Sequence, residues 1–353
     1  MKIVVAMSGG VDSSVVAGLM AEAGHEVIGV TLQLYDHGRA AGRKGACCAG
    51  QDIHDAKRVA DKLNISHYVI DAEQKFRDSV IAAFADSYAA GQTPVPCIAC
   101  NQHLKFGDLL SMARDIGADA LATGHYVRRV EGSNGAELHQ AVDAARDQSW
   151  FLFATTRAQL EYCRFPLGEM ASKADVRAEA ARMGLPVAVK PDSQDICFVP
   201  TGSYAEIVGK LRPDAMEAGE LVSEAGKILG QHQGIARYTV GQAKRLGNAA
   251  IDDGQAMVVR KIEPATRRII VGPRQAASRQ VQLRDVNWLI DKPAGPIRAA
   301  VKLRARQEPQ MVEIKANADE ATLLLDAASI AAPGQAAVFY DGSRILGGGF
   351  IVR

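Results

Sequence analysis

Ile3-Val4-Val5-Ala6-Met7-Ser8-Gly9-Gly10-Val11-Asp12-Ser13-Ser14 lies at the start of the chain, and it decides the fold. Ile3 to Ala6 is a short apolar run without polar alternation, as in a strand buried on both faces of a parallel sheet. From Asp12 onward Val15, Val16, Leu19 and Met20 recur at helical spacing, and Gly24 follows as a stop. The segment Ser8 to Ser14 therefore joins a strand to a helix at the carboxyl end of the strand, where open α/β sheets bind ligands. A helix start offers free N–H groups and about half a positive charge, which suits phosphate. Gly9 and Gly10 allow turn conformations closed to other residues and let a phosphate approach the backbone. Ser8, Ser13 and Ser14 add hydroxyl groups. The pattern is neither GxxxxGK[ST] nor GxGxxG, and it lacks a Walker-type lysine, which disfavours ordinary γ-phosphate transfer. The simpler alternative is a tight turn with Asp12 as a helix cap, but two glycines and three hydroxyls exceed what a turn requires.

Working outward, strand and helix signals alternate. Glu26 to Leu34 contains a strand, Gln51 to Asn64 reads as a helix, His67 to Ile70 as a strand and Gln74 to Ala90 as a helix. Asn101 can cap a helix running to about Ile116, followed by a strand at Ala120 to Ala122. This order predicts a doubly wound parallel sheet with right-handed crossovers. Ser133-Asn134-Gly135 reads as a hairpin turn. After Val208 short β-type runs separated by Gly and Pro take over, at 256–259, 269–271, 301–303, 311–314 and 337–340. The expected organisation is an α/β catalytic domain over 1–208, a small β-rich domain over 209–274 and a C-terminal β-barrel over 275–353. A length of 353 residues fits two or three domains. With 48% hydrophobic and 23% charged residues, the composition excludes collagen, disulfide miniproteins and mainly disordered chains. No apolar run reaches the roughly 18–20 residues of a membrane span, and no signal peptide is evident. A soluble cytoplasmic protein is the expectation, and six cysteines in such a chain favour reactive thiols or metal ligands over structural disulfides.

Pro94-Val95-Pro96-Cys97-Ile98-Ala99-Cys100-Asn101 is the second informative stretch. Cys100 is expected just before a helix capped by Asn101, a setting that lowers a thiol pKa below about 8.5. Lys105, one turn on, adds positive field. Cys197 lies in a polar loop, Lys190 to Phe198, that ends in the apolar Phe198. Cys97 and Cys100 form a CxxC pair, which alone reads equally as redox or as half a zinc site. Cys47-Cys48 lies in a basic loop, Gly42 to Gly50, placed near substrate, and Cys163 reads as structural.

Ser8 to Ser14 matches SGGxDSS and so resembles the PP-loop ATP pyrophosphatase superfamily. That resemblance implies cleavage of ATP between its α- and β-phosphates, with Mg²⁺ held through ATP and Asp12. It places ATP against Ala6, Met7, Ser8, Gly9, Gly10, Val11, Asp12, Ser13, Leu32 and Gly124. Over several separate blocks the chain is similar to the tRNA-specific 2-thiouridylase family, across essentially its whole length. The blocks are Met7 to Ser14, Cys100 to Gln102, Ala122 to Tyr126, Asp147 to Ser149, Asp192 to Phe198 and Pro333 to Gln335. The resemblance implies adenylation of the C2 oxygen of a wobble uridine, with Cys197 as persulfide carrier and Cys100 as its paired nucleophile. A persulfide donor, such as a cysteine desulfurase or a sulfur-relay protein, is the implied partner beside tRNA. The chemistry fits: a carbonyl oxygen leaves poorly until it becomes an AMP ester, and a second thiol resolves the persulfide by thiol–disulfide exchange. Many family members carry Asp where this chain has Cys97. That departure leaves a proton-transfer role unassigned and opens an alternative, an iron–sulfur cluster on Cys97, Cys100 and Cys197.

Net charge is only +1, but residues 260–306 hold twelve Lys/Arg against three Asp/Glu. That local excess fits a β module gripping an RNA backbone. Lys302, Arg304 and Arg306 are read as alternating along one strand, so that Arg304, Ala305 and Arg306, beside Gln307, form the contact stripe. The family resemblance adds His125 and Gln335 to the tRNA contacts. Asp147, Gln148 and Ser149, next to Trp150 and Phe151, offer polar edges beside aromatics for a flipped base. Two other readings compete. One is another PP-loop tRNA ligase or amide-forming synthetase, which needs no paired cysteines; the other is a non-catalytic RNA-binding protein.

Overall fold

The computed structural model describes residues 1–35, 48–192, 196–199, 203–274 and 278–352. The expected basic loop up to Cys47, and Ser193 to Asp195 before Cys197, lie outside them. Two units form, the first from Met1–Ser79, Cys97–Gln194 and Gly342–Ile345, the second from Val80–Pro96, Asp195–Asp341 and Leu346–Arg353.

In the first unit β1 (Lys2–Ala6) is enclosed on both faces, with Val4 and Val5 at 0% exposure. It pairs in parallel with β2 (Glu26–Gln33) on one side and β4 (Ala120–Ala122) on the other. With β3 (Ser66–Asp71) and β7 (Cys163–Arg164) the order is β3-β2-β1-β4-β7, parallel throughout. The chain leaves β1 toward β2 and β3, then returns to the other side at β4. The strand order therefore reverses between β1 and β4, the crevice where such sheets take ligands. Helix α1 (Val11–Glu22) sits over this point, with Val15, Val16 and Ala17 fully buried in a core shared with Ile3, Val5, Val59 and Val176. Burial of each such valine contributes about 1.5–3 kcal/mol. Between β5 (Val127–Gly132) and β6 (Gly135–Gln140) runs the expected hairpin, its turn closed by Gly135 at φ +102°.

The cap of α1 is Gly10, which has no side-chain hydrogen bond to the helix start. Asp12 is inside the first turn, so the alternative in which it caps the helix does not hold, and the first N–H groups stay open.

A helix expected from Asn101 begins earlier. One helical run passes through Pro96–Ala99, Cys100–Leu109 and Leu110–Asp115, with wider π winding over Cys100–Leu109. Asn101 is buried rather than capping, and its Nδ2 donates to the carbonyl of Phe151 at 3.2 Å.

The second unit holds a small sheet, in the order β10 (Ile251–Asp252), β11 (Gln255–Glu263), β12 (Arg268–Pro273), β8 (Gly219–Ser223) and β9 (Ile228–His232). It also holds a barrel of β13 (Ser278–Trp288), β16 (Glu320–Ser329), β15 (Gln310–Asn317), β14 (Ile297–Lys302), β17 (Ala336–Asp341) and β18 (Arg344–Ile351). β13 pairs with β18 and closes it. Val281, Val301, Val312, Leu323 and Phe339 fill the interior at 0% exposure. Strand β14 ends at Lys302, so Arg304 and Arg306 lie in the following turn rather than alternating along a strand face. Four rings anchor the segment after Cys197: Phe84 meets Phe198 edge-on at 5.4 Å, and Tyr88 stacks on Tyr204 at 4.8 Å.

At the barrel seam Gly347 has φ +150°, and a Cβ there would lie 2.3 Å from the Asn287 carbonyl oxygen. Gly347→Ala is expected to cost about 1–3 kcal/mol in urea unfolding of the whole chain. An unchanged midpoint would show that the seam tolerates a side chain.

Candidate active site

The loop after β1 is shaped by close approaches. Gly9 has φ +74°, and a Cβ on it would fall 2.1 Å from the Asp52 carbonyl oxygen. The Lys190 ammonium donates to the Gly9 carbonyl at 3.0 Å and to Asp52 and Asp55, both at 2.7 Å. Burial works against the Asp55 charge, but Lys190 and Gln51 outweigh it and hold its carboxyl below the usual range. Two of the three serine hydroxyls, those of Ser13 and Ser14, turn inward, donating to the Gly10 carbonyl at 3.3 and 2.8 Å, and Ser14 is fully buried. They fix the turn, while the uncapped N–H groups of α1 supply anion donors. Beyond β4, Gly124 comes so near that a Cβ would be 3.0 Å from the Ser13 amide nitrogen. The end of β4 and the first turn of α1 meet there because no side chain stands between them.

Asp12 accepts from the Tyr126 hydroxyl and the Lys173 ammonium, each at 2.6 Å. Lys173 also reaches Asp192 at 3.1 Å, and Asp192 takes Arg146 and Arg177 at 2.9 Å each. Burial, then the bond to Asp12, pushes the Tyr126 hydroxyl up, so it stays a donor. Burial also opposes the charge on Asp192, but Lys173 and Arg146 outweigh it and keep the carboxyl low. Sequence reasoning gave Lys173, Lys190, Asp52 and Asp55 no role. No local pattern marks them, since Lys173 and Lys190 come to the loop from more than 150 positions away along the chain.

Asp12 borders a cavity of about 240 Å³. Ala6, Met7, Ser8, Asp12 and Ser13 line it from the loop, and Leu32 and Gly124 from the neighbouring strand ends. Cys100, Lys105, His125 and Gln148 complete the wall. The fold thus joins the phosphate loop and one candidate nucleophile in a single chamber. His125 binds Thr123 through Nδ1 at 2.8 Å and lies 5.8 Å from the Phe106 ring. Burial, then Lys105, holds the imidazole well below its ordinary value, so it is neutral at pH 7. Gln148 is held by the Tyr126 amide at 2.9 Å. Asp147 is spent on the turn, accepting from Gln140, Ala141 and Ser149, and Ser149 is fully buried.

The Cys100 thiol differs from expectation. It is 8% exposed, four residues inside the helical run, and burial pushes its pKa up despite the opposing pull of Lys105. Cys97 faces solvent. Cys163 is fully buried and pushed up to about 12 by burial, an inert thiol. Cys197 is exposed and belongs to the second unit, as do Arg304, Ala305, Arg306 and Gln335. Gln335 donates to the Thr93 carbonyl at 2.9 Å. Among the described residues no three His, Cys, Asp or Glu side chains gather to hold a metal ion. No helix among them is long and apolar enough to cross a membrane.

A parallel sheet with a glycine phosphate loop at its reversal point, sharing a cavity with a thiol, defines an α/β phosphate-loop protein of the HUP class. The family described as tRNA methyl transferase HUP domain matches residues 1–201. The tRNA methyl transferase PRC-barrel domain matches 208–273, and the aminomethyltransferase β-barrel domain 278–351. A tRNA-specific 2-thiouridylase MnmA of Acidiphilium cryptum is 69% identical over 100% of both chains. Its namesakes in Gluconobacter oxydans and Rhodospirillum centenum are 62% and 56% identical, covering 99% and 100% of this chain and 99% and 92% of theirs. The chain belongs to the tRNA-specific 2-thiouridylase MnmA family.

Because burial raises the Cys100 pKa, its alkylation by iodoacetamide is expected to keep accelerating above pH 8.5, the usual thiol midpoint of about 8.5 being passed without a plateau. A plateau reached below pH 8 in peptide-resolved rates would show an activated resting thiolate instead.

Proposed function

We propose that this chain carries out ATP-dependent 2-thiolation of the wobble uridine of tRNA. The observation that carries the reading is the shared cavity of the phosphate loop and Cys100. ATP binds with its phosphates on the α1 N–H groups and its adenosine toward Leu32 and Gly124. Asp12 is an oxygen donor that suits Mg²⁺, which it would hold together with phosphate oxygens. The uridine C2 oxygen attacks the α-phosphorus, and pyrophosphate leaves. Cys197 carries the sulfane sulfur received from a persulfide donor. Cys100 loses its proton and attacks the inner sulfur of that persulfide, and the hydrosulfide released displaces AMP from C2. A Cys100–Cys197 disulfide remains, to be reduced by an external thiol. The raised Cys100 pKa keeps this thiol protonated at rest, and the Lys105 ammonium supports the thiolate when it forms.

The tRNA contacts in this reading are His125 and Gln148 in the cavity wall, with Asp147 and Ser149 holding the turn behind them. Arg304, Ala305, Arg306 and Gln335 meet the RNA elsewhere along the chain. The words methyl transferase in two of the matching families name a different reaction. Methyl transfer requires neither a pyrophosphate-leaving site nor a cavity thiol, so the geometry favours thiolation.

Cys197→Ser should lose thiolation yet keep RNA-dependent turnover of ATP to AMP, read by nucleoside mass analysis and nucleotide chromatography. Retained thiolation would falsify the persulfide role. A PP-loop ligase that uses no thiols would leave Cys100→Ser active as well. Arg304→Ala should weaken tRNA binding and reduce the slope of log affinity against log salt by about one. An unchanged slope removes Arg304 from the contacts.

A further inference from the structure

Cys97 has no part in the proposed reaction, yet its placement is specific. It is solvent-facing, whereas Cys100, three residues on, is buried and lines the cavity. Both belong to one helical run, so the two side chains stand on the same face, one turn apart, with Cβ atoms about 5–6 Å from each other. Three-residue helical spacing puts the Cα atoms inside the window of about 4.4–6.8 Å that a disulfide accepts, and the Cβ atoms must close to about 3.5–4.5 Å for the bond to form. The backbone passes into wider π winding at Cys100 itself, where the regular helical hydrogen bonding is already relaxed and a small approach of the two sulfurs meets less resistance. Burial pushes both thiols up, and the Lys105 ammonium opposes that rise at each without reversing it.

We infer that Cys97 and Cys100 form a redox couple, in which Cys97 is the entry thiol for external disulfides and dithiols and Cys100 is the cavity thiol that the couple protects or withdraws. The exchange balances with a low-molecular-weight disulfide as oxidant. The Cys97 thiolate attacks one sulfur of that disulfide, expelling one thiolate and forming a mixed disulfide at Cys97. Cys100 gives up its proton to the expelled thiolate and attacks the Cys97 sulfur, expelling the second. Two protein thiols and one disulfide become one protein disulfide and two small thiols, a transfer of two electrons. An external dithiol runs the same steps backward. Bulk reagents reach the exposed sulfur more readily than the buried one, so the route to Cys100 runs through its neighbour.

The couple stands on the placement of the two thiols. Only its effect on activity rests on the proposed role of Cys100. The test equilibrates the full-length protein in buffers of varied reduced-to-oxidised glutathione ratio, quenches with an alkylating agent and maps the linkages by peptide mass spectrometry. A Cys97–Cys100 disulfide that rises and falls reversibly with the ratio is expected. In Cys97→Ser, glutathionylation or oxidation of Cys100 should slow roughly tenfold, because the entry thiol is gone. Separate mixed disulfides at both positions, or a disulfide of Cys100 with any other cysteine in preference to Cys97, overturns the couple. Equal oxidation rates of Cys100 in the variant and the parent protein also overturn it. Thiolation measured on the same samples is read separately. If the disulfide forms while thiolation persists, the couple stands and the assignment of Cys100 to the reaction falls.

Discussion

The first unit's site depends on the uncapped start of α1, pressed against the end of β4. Gly10 leaves the helix N–H groups unsatisfied by any side chain, and Gly124 lets the neighbouring strand end come within contact of the Ser13 amide. Exposed donors at a helix terminus call for a partner, and here they face a chamber rather than a packed wall. Lys190 holds the loop from behind through the Gly9 carbonyl, while Lys173 ties Asp12 to Asp192 in front. The loop contains no lysine of its own, and two lysines from distant positions supply the positive charge around it. Their carboxylate partners, Asp12 and Asp192 for Lys173 and Asp52 and Asp55 for Lys190, hold that charge in place.

The same chamber explains how a thiol with a raised pKa suits the chemistry. Burial favours the neutral thiol, and burial likewise keeps the imidazole of His125 in the same cavity wall neutral, so it adds no charge that would change this. The solvent-facing Cys97 has the opposite exposure: it lies one turn nearer the start of the run, whereas Cys100 lines the cavity.

Much of the sheet was legible because its signals are local. Ile3 to Ala6 is too apolar for anything but a buried strand, and Ser133-Asn134-Gly135 is a turn by composition alone. Both β-rich parts showed in the spacing of short runs. The candidate site was legible as far as motifs reached, which covered the loop, Leu32, Gly124 and Cys100. Three things escaped. Lys173 and Lys190 act across the fold, and no sequence window contains both them and the loop they serve. The helix carrying Cys100 begins at Pro96, because proline suits a first helical position, and so the thiol is interior where Asn101 as a cap would make it terminal. Arg304 and Arg306 follow an apolar strand whose end the alternation does not mark, and a turn gives them the same sequence spacing as a strand would.

The most direct test is incubation of the protein with unmodified tRNA, ATP, Mg²⁺ and a persulfide source, with nucleoside mass analysis of the product. The expected result is 2-thiouridine at the wobble position, with one AMP formed for each sulfur inserted. AMP formation without any thiolated nucleoside, or a modified nucleoside carrying carbon in place of sulfur, would contradict the proposed reaction.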